Sequence, residues 1–136
     1  WIDQGATSAI EIVEVPNRYL AGLSEVKLKN YYNDKTNWRE MLKINTNEFD
    51  LEKEKLKCIN HLPEEVKNYI NNDKKPSKIL YPVNKYPETP KSLNIIKTEK
   101  FTGKLIGLKG QYLIFEDGTV FNVRSNEGVV VNITVN

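Results

Sequence analysis

The chain has 136 residues, of which 39% are apolar and 28% charged, with a net charge of +2. These proportions are those of an ordinary globular protein and exclude a disordered or fibrous one; a length near ~150 residues also allows a core that buries roughly two-thirds of the unfolded surface. No apolar run approaches the ~18 residues of a membrane span. A lone cysteine, Cys58, and a lone histidine, His61, leave no internal disulfide, no cysteine-based zinc site and no paired-histidine metal motif. The expectation is a cytoplasmic protein with no membrane partner.

Taken in order, the chain reads as helix-rich, then proline-rich, then β. Ala9–Val15 alternates, with Ile10, Ile12 and Val15 apolar and Glu11 and Glu14 between them, which predicts a strand. Pro16-Asn17 ends it, and Asn17 is placed to cap a helix from Arg18 to about Tyr32. In that helix Tyr19, Leu20, Leu23, Val26 and Tyr31 recur at helical spacing, and Ala21 and Gly22 are small enough for another backbone to approach. Asn33–Thr36 is a turn, followed by a short helix from Asn37 to Ile44 with Trp38, Met41 and Leu42 inward. Asp50 caps a helix over Leu51–Asn60, and Pro63 with Glu64 and Glu65 starts a last short one to Ile70.

Four of the six prolines fall between Pro76 and Pro90. Residues before proline avoid the α region, so this stretch is an extended connector. From Phe101 the period becomes two. Lys104–Leu108, Tyr112–Phe115, Thr119–Arg124 and Val129–Val135 are strand candidates, separated by Gly110, Asp117-Gly118 and Asn126-Glu127-Gly128. Val129, Val131, Ile133 and Val135 line one face of the last. The predicted class is α+β: a helix-rich α/β region over 1–75, a Pro/Lys-rich connector over 76–100, and a small antiparallel β-meander over 101–136, as an open barrel or curled sheet.

Charge is unevenly placed. Residues 1–75 carry 12 basic and 13 acidic side chains, whereas 76–136 carry 8 and 5. From Lys74 to Lys109 nine lysines face only Glu88 and Glu99, a local +7. AT-rich coding would raise Lys and Asn overall but would not gather lysines there. Tyr81, Tyr86 and Phe101 lie among them. Phosphates need mobile cations and unpaired bases need flat rings, so Lys78, Tyr81, Lys85, Tyr86, Lys91, Lys104 and Lys109 are candidate nucleic-acid contacts. The plainer reading is a solvated connector whose tyrosines and prolines pack onto the protein.

Other candidates also have two readings. Gly103, Gly107 and Gly110 lack the spacing and following helix of a phosphate loop and suit strand bulges and a turn. Glu25 either pairs with Lys29 one helical turn on, or serves as a carboxylate ligand for a hard ion such as Mg²⁺. Cys58 and His61 share a helical face but are too few for zinc; they read as a core residue and a helix-end residue.

Residues 79–135 resemble the C-terminal part of a bacterial and archaeal domain-of-unknown-function family, numbered twenty-seven ninety-seven. The similar words are Tyr81-Pro82-Val83 with Tyr86-Pro87, Lys91-Ser92-Leu93-Asn94, the run from Gly103 to Phe115, and Val123-Arg124. Trp1–Ala6, Arg18–Gly22 and Asp34–Arg39 are similar too, whereas about 45–75 is less so. The resemblance implies a longer N-terminus with a cysteine-rich leader. None of it is in this sequence, so no zinc is carried over.

Residues 1–37 are also similar to the back half of a GIY-YIG nuclease module, with Ile10–Val15 as its strand and Ala21–Lys29 as its glutamate helix. This implies Glu25 as metal ligand and Asn37 as supporting asparagine, with Mg²⁺ as the cofactor of the full-length protein and none in this stretch. The tyrosine hairpin and the arginine of that module are absent, so the chain is expected to be inactive alone, its partners being nucleic acid and the missing N-terminal segment of the same protein. The leading expectation is nucleic-acid binding. The alternatives are a structural or protein-interaction domain without chemistry, and a small-molecule barrel, for which the strands are too short.

Overall fold

The computed structural model describes residues 1–33, 35–43 and 49–135. Asp34, in the expected turn, and Ile44, the expected end of the second helix, lie outside the described residues. The elements in chain order are β1 (Ser8–Ala9), α1 (Arg18–Leu28), α2 (Trp38–Met41), α3 (Leu51–Ile59), α4 (Glu64–Lys67), β2 (Ser77–Lys78), β3 (Lys91–Ser92), α5 (Ile95–Thr98), β4 (Leu105–Lys109), β5 (Tyr112–Phe115) and β6 (Thr119–Asn122). The class is α+β. One sheet pairs β1 with β2, and the other runs β3-β6-β5-β4 and does not close into a barrel.

Two compact units form. A sheet unit comprises Trp1–Gly5, Trp38–Asn45 and Tyr81–Asn136, and a helical unit comprises Ala6–Asn37 and Thr46–Leu80. Both are discontinuous, so they cut across the chain-order division into 1–75, 76–100 and 101–136.

In the sheet unit, period-two alternation sends Tyr112 and Ile114 of β5 and Val120 of β6 inward. They bury together with Leu42, and Trp38, Met41, Val83 and Ile106 pack against them. Complete burial of a side chain like Ile114 is worth roughly 1.5–3 kcal/mol. β4, β5 and β6 form the expected antiparallel meander. Its second turn is Asp117-Gly118, where Gly118 has φ +84° and the Asp117 carboxylate accepts from the Thr119 amide at 2.9 Å. At the first turn Gly110 has φ +56°, and a Cβ there would run into the Asp3 carbonyl. That carbonyl accepts from Gln111 N at 3.1 Å, which fastens residues 1–5 to the turn. The ladder is bulged between Leu105 and Gly107, so this glycine series serves a bulge and a turn. β3, out of the proline-rich stretch, adds parallel to β6 with Lys91 opposite Thr119.

Val129–Val135 does not form the fourth strand of the meander. After β6 the chain enters a 3₁₀ turn at Arg124–Asn126 and bends at Gly128, with φ +85°. This carries the segment off the ladder, and its apolar side chains stay exposed.

In the helical unit, Asn17 caps α1 by accepting from Leu20 N at 3.0 Å, and Asp50 caps α3 by accepting from Lys53 N at 3.0 Å. α1 ends at Leu28, short of Tyr32, where the bonding tightens to i→i−3: Asn30 N donates to the Lys27 carbonyl at 3.4 Å and Tyr31 N to the Leu28 carbonyl at 2.9 Å. Among the described residues outside its own helix, nothing lies within 4 Å of where a Cβ on Gly22 would stand, so none of their backbones approaches there. Cys58, Leu62 and Val66 are buried. The expected Ala9–Val15 strand shrinks to β1 and a single bridge between Val13 and Ile70. Its partners, β2 and the end of the α4 segment, are too short for a longer ladder. Among the described residues no helix is long and apolar enough to cross a membrane.

Candidate nucleic-acid interface

Six of the seven residues expected to touch nucleic acid fall in the sheet unit, and Lys78 falls in the helical unit. They do not share one role. Lys109, at the inner end of β4, is only 3% exposed. Its ammonium donates to the Met41 carbonyl at 2.8 Å and sits 5.8 Å from the Tyr81 ring centre and 4.9 Å from that of Tyr86. Both contacts are cation–π attractions, which strengthen when desolvated. Burial pulls the Lys109 amine below its ordinary pKa. The Tyr81 hydroxyl donates to the Ile2 carbonyl at 2.9 Å. Burial pushes this phenol up, and Tyr86 and Asp3 push it further.

The interleaving of lysine and tyrosine is therefore partly internal. Tyr81 and Tyr86 each turn toward the Lys109 ammonium, and this cluster joins residues 1–5, 38–43 and 81–109 of the unit. Trp38 stacks on Tyr112 at 5.7 Å, with the Arg39 guanidinium 4.4 Å from its ring centre. Phe101 is held edge-on against Phe115 at 4.8 Å.

The exposed lysines of the sheet unit are Lys85, Lys91, Lys97, Lys100 and Lys104. Lys104 pairs with Glu116 at 3.1 Å. Among the described residues, Lys85, Lys91, Lys97 and Lys100 form no ion pair within 4 Å. Lys91 lies near enough to Asp117 to help lower that carboxyl, which the Thr119 amide and hydroxyl lower first. Asn94 caps α5 by accepting from Lys97 N at 3.2 Å, so Lys97 lies on this short helix and Lys100 two residues past its end. The sequence reasoning passed over these two, although the lysine density that singled out their neighbours applies equally to them.

In the helical unit Lys78 lies exposed on β2. Glu25 is exposed on α1 and pairs with Lys29 at 3.2 Å. Mg²⁺ takes one or two carboxylates together with substrate phosphate and water. Glu25 offers one, already faced by an ammonium, and among the described residues no group of three or more His, Cys, Asp or Glu side chains gathers. Asn37 belongs to the same unit, after α1. Cys58 is buried, and His61, just past α3, stacks on Tyr31 at 3.7 Å. Tyr32 is pushed up to about 12, first by its hydrogen bond to the Cys58 thiol and then by burial.

A family model described as "Protein of unknown function (DUF2797)" matches residues 1–131. The chain belongs to that family. No curated protein and no solved structure matches it. Membership agrees with the resemblance carried by Tyr81-Pro82-Val83 and the Gly103–Phe115 run. Within those words, Tyr81 and Lys109 meet around the buried ammonium.

Proposed function

We propose that the sheet unit binds nucleic acid through its backbone phosphates, without cleavage by this chain. One observation carries the reading: Lys85, Lys91, Lys97, Lys100 and Lys104 are exposed in one compact unit, and only Lys104 has an ion-pair partner among the described residues. Exposed, unpaired ammonium groups are what phosphate neutralisation requires. The rings support scaffold rather than base stacking, since Tyr81 and Tyr86 face Lys109 and Phe101 faces Phe115. The expected mode is therefore insensitive to sequence.

The test is a titration of labelled single-stranded DNA across a salt series. Four engaged lysines give a slope of log affinity against log salt of about −3, at ~0.7 per phosphate, and each Lys→Gln change among Lys85, Lys91, Lys97 and Lys100 removes about 0.7 of it. Lys109→Met leaves the slope unchanged. Absence of binding at low salt, or a slope that ignores the four substitutions, overturns the reading. A second reading, a protein-interaction domain, is favoured by the exposed apolar segment Val129–Val135.

A further inference from the structure

In Val129–Val135, Val130, Ile133 and Val135 are 94%, 81% and 88% exposed. From Gly128 to Val135 the chain carries no charged side chain, and five of its eight residues are Val or Ile. Such residues favour strands. Yet among the described residues the segment joins no ladder, and its backbone is tied only where Val129 N donates to Asn126 O at 3.2 Å. A strand-forming, uncharged segment with unpaired amides and carbonyls is a template for pairing with another chain.

We propose that Val129–Val135 pairs antiparallel with the same segment of a second copy of this chain, about a two-fold axis at Asn132. The occupant is argued from register and from the sheet edges. Setting Asn132 opposite Asn132 places Val131 opposite Ile133, Val130 opposite Thr134 and Val129 opposite Val135. Each pair opposes β-branched residues, which suit cross-strand contacts. The offset preserves parity, so Val129, Val131, Ile133 and Val135 of both copies share one face. The two Asn132 amides meet at the axis and can bond each other. No like charges oppose, which a two-fold pairing would otherwise force.

The sheet's own edges are poor competitors. Beside β4, Leu108 N donates to Pro82 O at 3.0 Å and Asn84 N to Ile106 O at 2.9 Å, so residues 82–84 already close that edge. β3, at the other edge, is two residues long.

A ribbon this short covers less than the ~1,200 Å² of a standard interface, so the dimer is concentration-dependent. Sedimentation velocity of the full chain over a dilution series reads it. The expected result is a reversible monomer–dimer equilibrium. Val131→Lys with Ile133→Lys sets lysine opposite lysine twice and leaves only monomer. Val131→Lys with Ile133→Glu sets lysine opposite glutamate twice, so the dimer returns and weakens with salt. All these side chains are solvent-facing in the monomer, and an unchanged far-ultraviolet circular dichroism spectrum verifies the fold of each variant. A wild-type chain that stays monomeric at every concentration, a double-lysine variant that still dimerises, or a lysine–glutamate variant that does not, overturns the proposal.

Discussion

In the sheet unit, Ile114, Val120 and Leu42 are wholly buried and the β4–β6 ladder satisfies the backbone around them. In the helical unit, the buried apolar side chains among the described residues are Cys58, Leu62 and Val66, and the backbone between its helices is tied by caps, two-residue strands and the Val13–Ile70 bridge. The contrast shows two ways of organising similar numbers of residues. One unit concentrates its stability in a few side chains, and the other spreads it over local hydrogen bonds.

The largest expected effect tests that concentration. Ile114→Ala should cost about 2–5 kcal/mol, toward the upper end because a ladder on both sides of β5 resists collapse. Leu62→Ala should fall toward the lower end of the same range, because its short helices can close on the gap. Urea unfolding checks both. Trp1 and Trp38 both belong to the sheet unit, so tryptophan fluorescence reports that unit, whereas circular dichroism reports both. Equal losses for the two variants would break the comparison.

A smaller effect separates the units by pH. Lys109 is held below its usual 10.5 by burial, so the unfolded chain keeps that proton to higher pH than the folded one. Stability from this group therefore rises with pH up to the ordinary lysine value. Tyr32 is raised from 10.0 to about 12, so in that window the unfolded chain has lost a proton that the folded one keeps, and stability falls. The cost of Lys109→Met should therefore be greater near pH ~10 than near pH ~7, and Tyr32→Phe should flatten the alkaline decline. Thermal unfolding at several pH values measures both; a Lys109→Met cost that does not change with pH would remove Lys109 from the account. The smallest effect is at a cap. Asn17→Ala should cost about 1 kcal/mol, read as earlier loss of helical dichroism with the tryptophan transition unmoved.

The same contrast governs what was legible beforehand. Asp117-Gly118 and the alternation of Tyr112 and Ile114 are local signals, and the meander formed where they placed it. Asn17 and Asp50 were legible as caps for the same reason. Ala9–Val15 and Val129–Val135 carry equally good alternation, but a strand exists only if a partner reaches it, and partners are not written locally. The mixed fate of the lysines has the same origin. Lys109 ends β4, where Tyr81, Tyr86 and the Met41 carbonyl converge, whereas Lys104 just precedes the strand and faces Glu116. No spacing rule brings those three together. Nor could chain order reveal that residues 1–5 and 38–45 build one unit with a segment beginning at Tyr81.

That interrupted layout has a consequence for synthesis. All segments of the helical unit have left the ribosome once Leu80 emerges, so it can settle while the rest is still being made. The sheet unit cannot, because Trp38 and Leu42 wait for Tyr112, Ile114 and Val120. During that interval an aromatic and a leucine that end up in the core are without their partners, and closing so long a loop is slow. The nascent chain therefore has a defined period of exposure, in which an apolar surface is open to a chaperone before β5 arrives to cover it.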